Sequence, residues 1–191
     1  MVVYGLTGKT GAGKSTACKF LKEKGFYAVD CDLIARKVTQ KGSDVLLHLS
    51  EAFGEDILFP DGTLNRSLLA QRAFQSKEKT QLLNKITHTA IDEVIRKELK
   101  EAENRGFSKA IIDGAALLES PSKRLCEKMI VVTAPFELRL ERILSRDNIS
   151  SSQALSRLNA QKEDEYYLSQ ADIIIRNYPP FDLKNELEKV L

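Results

Sequence analysis

Two hydrophobic patterns alternate along this chain. Short, nearly continuous apolar runs rich in Val and Ile occupy residues 2–6, 26–29, 109–112, 129–133 and 172–175, the pattern expected of strands buried on both faces. The runs give way to Thr7-Gly8, Asp30, Asp113-Gly114, Ala134-Pro135 and Arg176-Asn177. Between them, apolar residues recur at helical spacing over residues 15–24, 44–53, 65–75, 78–86 and 90–103. A further helical stretch covers residues 136–167, broken at Asp147-Asn148-Ile149-Ser150. Gly25 closes the first helix, Asn65 is placed to N-cap the third, and Pro60-Asp61-Gly62 makes a turn ahead of it.

Strands separated by helices predict parallel βαβ units with right-handed crossovers, hence an α/β fold with a doubly wound sheet of about five strands. Ligands are then expected beyond the strand C-termini. The segment between the second and third strands is far longer than one crossover helix requires. It reads as an inserted helical lobe over residues 43–105, in a single domain whose core is 1–42 and 106–191, with 136–167 as a lid.

Composition narrows the class. With 42% hydrophobic and 29% charged residues, the chain has the make-up of an ordinary globular protein rather than a disordered or fibrous one. No apolar run approaches the roughly 20 residues needed to cross a bilayer, and the N-terminal residues lack a secretory signal pattern, so a cytoplasmic protein is expected. Lys plus Arg number 29 and Asp plus Glu 27, a net charge of +2. That balance argues against a nucleic-acid-coating protein and makes any anion site local. Cys18, Cys31 and Cys126 form an odd set without C-x-x-C spacing, which predicts neither a disulfide framework nor a zinc site.

The strongest chemical signal is Gly8-Lys9-Thr10-Gly11-Ala12-Gly13-Lys14-Ser15, a G-x-x-x-x-G-K-[ST] loop between a predicted strand and a predicted helix. Its glycines let backbone N–H groups curl around phosphate oxygens, and the helix N-terminus adds partial positive charge. Lys14 suits the β- and γ-phosphates of a triphosphate, and the Ser15 hydroxyl suits Mg²⁺. Lys9 either adds a second cation or points into solvent, the simpler expectation. If the chain stays extended, Asp30 and Asp32 share one face, and one of them could orient and deprotonate an acceptor hydroxyl or hold Mg²⁺ through water. The alternative for Asp32 is an N-cap for residues 33–38. Asp113 suits water-mediated Mg²⁺ coordination or capping. His48 lies in a helical pattern and His88 between two helical stretches, each without metal-like partners. Cys31 reads as a small filler. Arg139, Arg142, Arg146 and Arg157 follow the fourth strand, and Arg142 is singled out to neutralise charge on a transferring phosphoryl group.

Gly5-Leu6-Thr7-Gly8, Gly11-Ala12-Gly13-Lys14-Ser15-Thr16 and Asp30-Cys31-Asp32-Leu33-Ile34-Ala35-Arg36 together resemble the dephospho-CoA kinase family. So do Asp61-Gly62-Thr63-Leu64-Asn65-Arg66, Leu83-Asn84-Lys85-Ile86-Thr87-His88, Leu117-Leu118-Glu119, Gln161 and Asn177. The resemblance runs through the whole chain. It implies a nucleoside-monophosphate-kinase-like core, a helical lobe for the CoA moiety, a lid over ATP, and transfer of the γ-phosphoryl of MgATP to the ribose 3′-hydroxyl of dephospho-CoA. It further implies Asp32, Lys14 and Arg142 as catalytic groups. ATP contacts would come from Gly8, Gly11, Ala12, Gly13, Lys14, Ser15, Thr16, Arg142 and Asn177. Acceptor contacts would come from Thr7, Asp32, Arg36, His88, Leu117 and Glu119, and Mg²⁺ contacts from Ser15 and Asp113. The implied partners are ATP and dephospho-CoA, with no nucleic acid or membrane, in a monomer or weak oligomer. The chain departs from the usual family pattern at Lys9-Thr10, Thr89, Ala115-Ala116 and Arg139, leaving the phosphate-binding and base positions intact. The competing readings are a P-loop kinase for another small metabolite and a non-enzymatic ATP-dependent switch; a switch GTPase would need an N-K-x-D motif, which is absent.

Overall fold

The computed structural model describes residues 1–191. The chain forms two compact units, Met1–Asp30 with Leu99–Leu191, and Cys31–Glu98.

In the first unit, all five apolar runs form strands: β1 (Val2–Gly8), β2 (Tyr27–Asp30), β3 (Lys109–Asp113), β4 (Lys128–Thr133) and β5 (Ile173–Arg176). They make one parallel sheet in the order β2-β3-β1-β4-β5. β1 is central, with Leu6 in register with Asp113 and Ile130, and Asp30 of β2 is in register with Asp113. The strand ends that carry polar side chains therefore lie side by side.

Helix α1 (Lys14–Glu23) follows β1 and buries Ala17, Phe20 and Leu21. These pack with Leu6, Ile111, Ile130, Val132 and Ile175 from the sheet. At about 1.5–3 kcal/mol for each large apolar side chain removed from water, this face fixes where α1 lies. Gly25 ends the helix with φ +88°, as expected. Helices α6 (Phe136–Asp147), α7 (Ser151–Asn159) and α8 (Asp164–Leu168) fill the stretch after β4, and Ile143, Ala154 and Leu158 join the first two. The expected break is present: Asn148 is left-handed at φ 51°, and Ser150 with Gln153 forms a reciprocal capping box for α7. A short α9 (Leu183–Leu187) closes the unit.

The second unit contains α2 (Cys31–Val38), α3 (Asp44–Phe53), α4 (Arg66–Ala73) and the residues of α5 (Lys77–Asn104) up to Glu98. Leu49, Phe53, Ile57, Leu69 and Ala73 form its core. Asn65 caps α4 by accepting from the Leu68 N–H at 3.1 Å. The unit takes in α2, although the expected insert begins only at residue 43. The helices expected at 78–86 and 90–103 are one continuous helix. Thr87, His88 and Thr89 interrupt the apolar stripe, but none removes a backbone donor as proline would. Thr87 instead donates its hydroxyl to the Leu83 carbonyl at 2.9 Å, and His88 stands mid-helix. No helix is long and apolar enough to cross a membrane.

Candidate active site

The Gly8–Ser15 loop connects β1 to α1 with backbone geometry that its glycines permit. Gly11 has φ +82°, and a Cβ there would lie 2.7 Å from the Arg139 carbonyl oxygen; at Gly13, φ +104°, a Cβ would collide with the Asn177 amide. Gly13 N-caps α1 without a side-chain hydrogen bond, and the first turn holds no acidic residue. The first amides of α1 thus meet no internal anion, which suits a phosphate group.

Side chains from elsewhere in the unit clasp this loop. Asn177, just after β5, donates Nδ2–H to the Ala12 carbonyl at 2.8 Å. Arg142 of α6 donates to the carbonyls of Gly11 (3.2 Å), Ala12 (3.4 Å) and Asn177 (2.9 Å). The Arg142 guanidinium therefore holds the loop rather than standing free above it.

Lys14 forms an ion pair with Asp113, and both side chains are largely buried. Cys18 lies one helical turn beyond Lys14 and shares a cleft with the same carboxylate. Burial first, then the Asp113 charge and hydrogen bond, push its thiol up to about 11, against the opposing charges of Lys14 and Lys22. Cys18 is thus a neutral thiol at physiological pH, not a nucleophile. Ser15, Cys18, Lys19, Lys22, Glu23, Asp30 and Asp113 line one open cleft of about 480 Å³. Its donors suit Mg²⁺: the Ser15 hydroxyl and Asp113 carboxylate are hard oxygen ligands, and this ion keeps most of its shell for water and substrate phosphate.

Several expectations change here. Lys9 does not point into solvent: its Nζ lies 2.7 Å from Asp164 and its side chain is 11% exposed. The arginines after β4 do not form one series. Arg139 is buried, donating Nε–H to the Ala134 carbonyl at 3.1 Å, Arg142 holds the loop, and Arg146 and Arg157 both pair with Asp147. Asp30 ends β2, but the chain turns helical at Cys31, so the shared face of an extended segment does not exist. Asp32 lies inside the first turn of α2 rather than N-capping residues 33–38, and it is exposed. Its carboxylate still gains from the helix dipole there.

Among the other expected contacts, Thr7 is fully buried in β1 and donates to the Ala115 carbonyl at 3.4 Å. Leu117 is 2% exposed and packs beside Gly5 of β1, so its side chain belongs to the core. Glu119, Thr16 and Arg36 are exposed.

His88 lines a groove of about 250 Å³ in the second unit, together with Thr39, Leu49, Leu64, Arg66, Leu69, Phe74 and Asn84. Arg66 is held by donation to the Thr39 hydroxyl at 2.8 Å. Burial holds the His88 imidazole below its ordinary value, against the opposing charge of Asp92. The groove is mostly apolar, with a few polar groups placed along it, the usual make-up of a site for an extended organic ligand. Sequence reasoning missed Cys18 and Asp164. Cys18 was within reach, since it follows Lys14 by one helical turn; Asp164 is far from Lys9 in the chain and left no local signal.

A family model described as dephospho-CoA kinase matches residues 2–180. The dephospho-CoA kinase of Corynebacterium glutamicum is 39% identical over 192 residues, covering 100% of this chain and 96% of that protein. Among solved structures, TT1252 from Thermus thermophilus superposes with a TM-score of 0.82 at 25% identity, covering 99% of this chain and 93% of that one. Dephospho-CoA kinase from Campylobacter jejuni gives 0.60 at 28% identity, covering 98% and 94%. This chain belongs to the dephospho-CoA kinase family.

Proposed function

We propose that this protein transfers the γ-phosphoryl group of ATP to the ribose 3′-hydroxyl of dephospho-CoA, giving coenzyme A and ADP, the last step of coenzyme A synthesis. The observation that carries the reading is the Gly8–Ser15 loop. Its helix N-terminus meets no internal anion, and it is braced from behind by Arg142 and Asn177 beside the Lys14, Ser15 and Asp113 cluster.

In this reading the loop amides, including those of Gly13, Ser15 and Thr16, cradle the phosphates, while the Ala12 N–H stays on the Lys9 carbonyl at 3.0 Å and shapes the loop, and Lys14 exchanges Asp113 for the β- and γ-phosphate oxygens. Mg²⁺, when bound, neutralises triphosphate charge, with Ser15 and Asp113 as its protein partners. The 3′-hydroxyl oxygen forms the new bond to the γ-phosphorus as the bond to the β,γ-bridging oxygen breaks. Asp32 orients that hydroxyl and takes its proton, and ADP leaves. Arg142 acts first through the loop that it holds. Direct contact with ATP would require it to trade backbone carbonyls for phosphate oxygens. Helices α6, α7 and α8 form the lid. The groove of the second unit accepts the apolar pantetheine arm, with Arg66, Asn84 and His88 as its polar contacts; Arg36 and Glu119 are further acceptor contacts that the family resemblance implies.

A coupled assay of ADP release tests this, with dephospho-CoA, adenosine, nucleoside monophosphates and shikimate as acceptors. Dephospho-CoA should be strongly preferred, and adenosine, lacking the arm, should show a much lower kcat/KM because remote binding energy helps to order the reacting end. Turnover confined to another acceptor, or equal kcat/KM for adenosine and dephospho-CoA, would reject the assignment.

A further inference from the structure

One lysine of the phosphate-binding loop has a partner far along the chain. Lys9 Nζ lies 2.7 Å from Asp164 Oδ1, with the lysine side chain 11% exposed and the carboxylate 56%. Asp164 opens α8. Shortly before it, Gln161 Oε1 accepts the N–H of Thr10, the next residue of the loop, at 3.0 Å. A second cation backs the same carboxylate: Arg139 Nη2 lies 3.9 Å from Asp164, and Arg139 is itself fixed to the Ala134 carbonyl. Lys9, Arg139, Asp164 and Tyr167 line a small, partly open pocket of about 10 Å³, room for about one water. Arg139 Nη1 is buried without a hydrogen-bond partner.

The charges make Asp164 the hinge of this cluster. It is the carboxylate shared by Lys9 and Arg139, so removing it would leave these largely buried cations facing each other, a costly arrangement. A Lys9 ammonium recruited to phosphate would give up its 2.7 Å ion pair and leave Asp164 with Arg139 alone, at 3.9 Å. The geometry instead favours a fixed pair. The loop contains glycines in left-handed conformations, whose freedom must be surrendered when a triphosphate is gripped. A tether at the loop tip surrenders part of that freedom in advance.

We propose that Lys9 is a positioning residue for phosphoryl transfer. Its ion pair with Asp164 pins the tip of the phosphate-binding loop to α8, keeps Gln161 on the Thr10 N–H, and so presets the loop for ATP. The proposal rests on reading the loop as an ATP site, but not on the identity of the acceptor.

The test measures ATP affinity by calorimetry without acceptor, alongside steady-state kinetics, for Lys9→Ala, Asp164→Asn, the double variant and Lys9→Arg. Lys9→Ala and Asp164→Asn should each weaken ATP binding by about threefold to tenfold, the scale of a partly buried ion pair, and should raise KM for ATP more than they lower kcat. The double variant should be no worse than the poorer single variant, Lys9→Arg should recover most of the loss, and added salt should narrow the gap to wild type. Thermal unfolding of each variant separates a tethering effect from loss of fold. Unchanged ATP affinity in both single variants would overturn the proposal. So would a large fall in kcat for Lys9→Ala with Asp164→Asn at or above wild type, because Lys9 would then act on phosphate. A wild-type protein that binds ATP but does not phosphorylate dephospho-CoA would refute the acceptor assignment and leave these affinity comparisons intact.

Discussion

The loop of the first unit and the groove of the second are built by opposite means. The loop is backbone: glycines at positive φ, open helix amides, and carbonyls tied down by Arg142 and Asn177. The groove is packing: Leu49, Leu64, Leu69 and Phe74 with Arg66, Asn84 and His88 set among them. A compact polyanion is recognised by donors whose positions are fixed before it arrives, since reorienting dipoles around it would consume the electrostatic gain. A long, flexible organic arm is recognised by area removed from water, which tolerates change in any one side chain. Substitutions in the loop should therefore act sharply on chemistry, and those in the groove gradually on binding and stability.

The largest effect tests the loop. Lys14→Ala should lower kcat/KM by about 10³–10⁵-fold, the range associated with a cation facing a transferring phosphoryl group. The fold should survive with modest loss, because Asp113 lines an open cleft where water can reach it when its ion pair is gone. Stopped-time assays of ADP release, with thermal unfolding as control, decide it. A variant turning over at wild-type rate would remove the loop from the chemistry and collapse the contrast between the two regions.

Asp32→Asn sharpens the comparison from the other side, since Asp32 belongs to the helical unit yet is assigned chemistry rather than binding. Asparagine preserves size but accepts no proton, so turnover should fall by about 10²–10⁴-fold, with ATP affinity nearly unchanged. A loss near the lower end still fits orientation of the hydroxyl, because a loose transition state asks little of the base at the outset. Turnover within about threefold of wild type, roughly 0.7 kcal/mol in barrier, would mark Asp32 as a helix-dipole residue only. If Asp30→Asn were the crippled enzyme instead, the base would lie at the end of β2.

How much of this was legible follows the same division. The sheet and the loop could be read from sequence because their determinants are local: continuous apolar runs for buried parallel strands, and glycines at fixed spacing between a strand and a helix. Asn65 was legible as a cap for the same reason. The illegible features depend on partners remote in sequence or on where a helix begins. Lys9 looked like a solvent-facing lysine because nothing near it reveals Asp164, and Arg139 looked like its exposed neighbours although α6 turns it inward. The Asp30 and Asp32 pairing failed because α2 starts at Cys31, a boundary of the kind sequence patterns place least well. The break assumed at His88 came from reading a polar interruption of a stripe as a stop, although no proline or glycine was there to end the helix.

The smallest effect belongs to the groove. His88 is held below its ordinary value by burial, with Asp92 pulling the other way, so the folded protein resists a proton that the unfolded chain accepts. As pH falls below about 6.5, the usual imidazole value, the unfolded state binds more protons and stability must decline, the decline ending once pH has passed the folded value. Above that window His88 is neutral in both states and contributes no pH dependence. Other groups, such as Asp56 and Asp61 with their lowered values, also weaken the fold in acid. The informative quantity is therefore the difference between wild type and His88→Gln. Urea unfolding at pH 7.5 and 5.5 should show wild type losing more stability than the variant, by an amount far below the effect of either loop or base substitution in barrier terms. Dephospho-CoA saturating the groove should stabilise wild type at pH 7.5 relative to ligand-free buffer, by simple mass action. Parallel pH slopes for the two proteins would show that the imidazole is solvated in the fold, and the groove would then be wetter at its polar end than the packing of Leu69 and Phe74 implies.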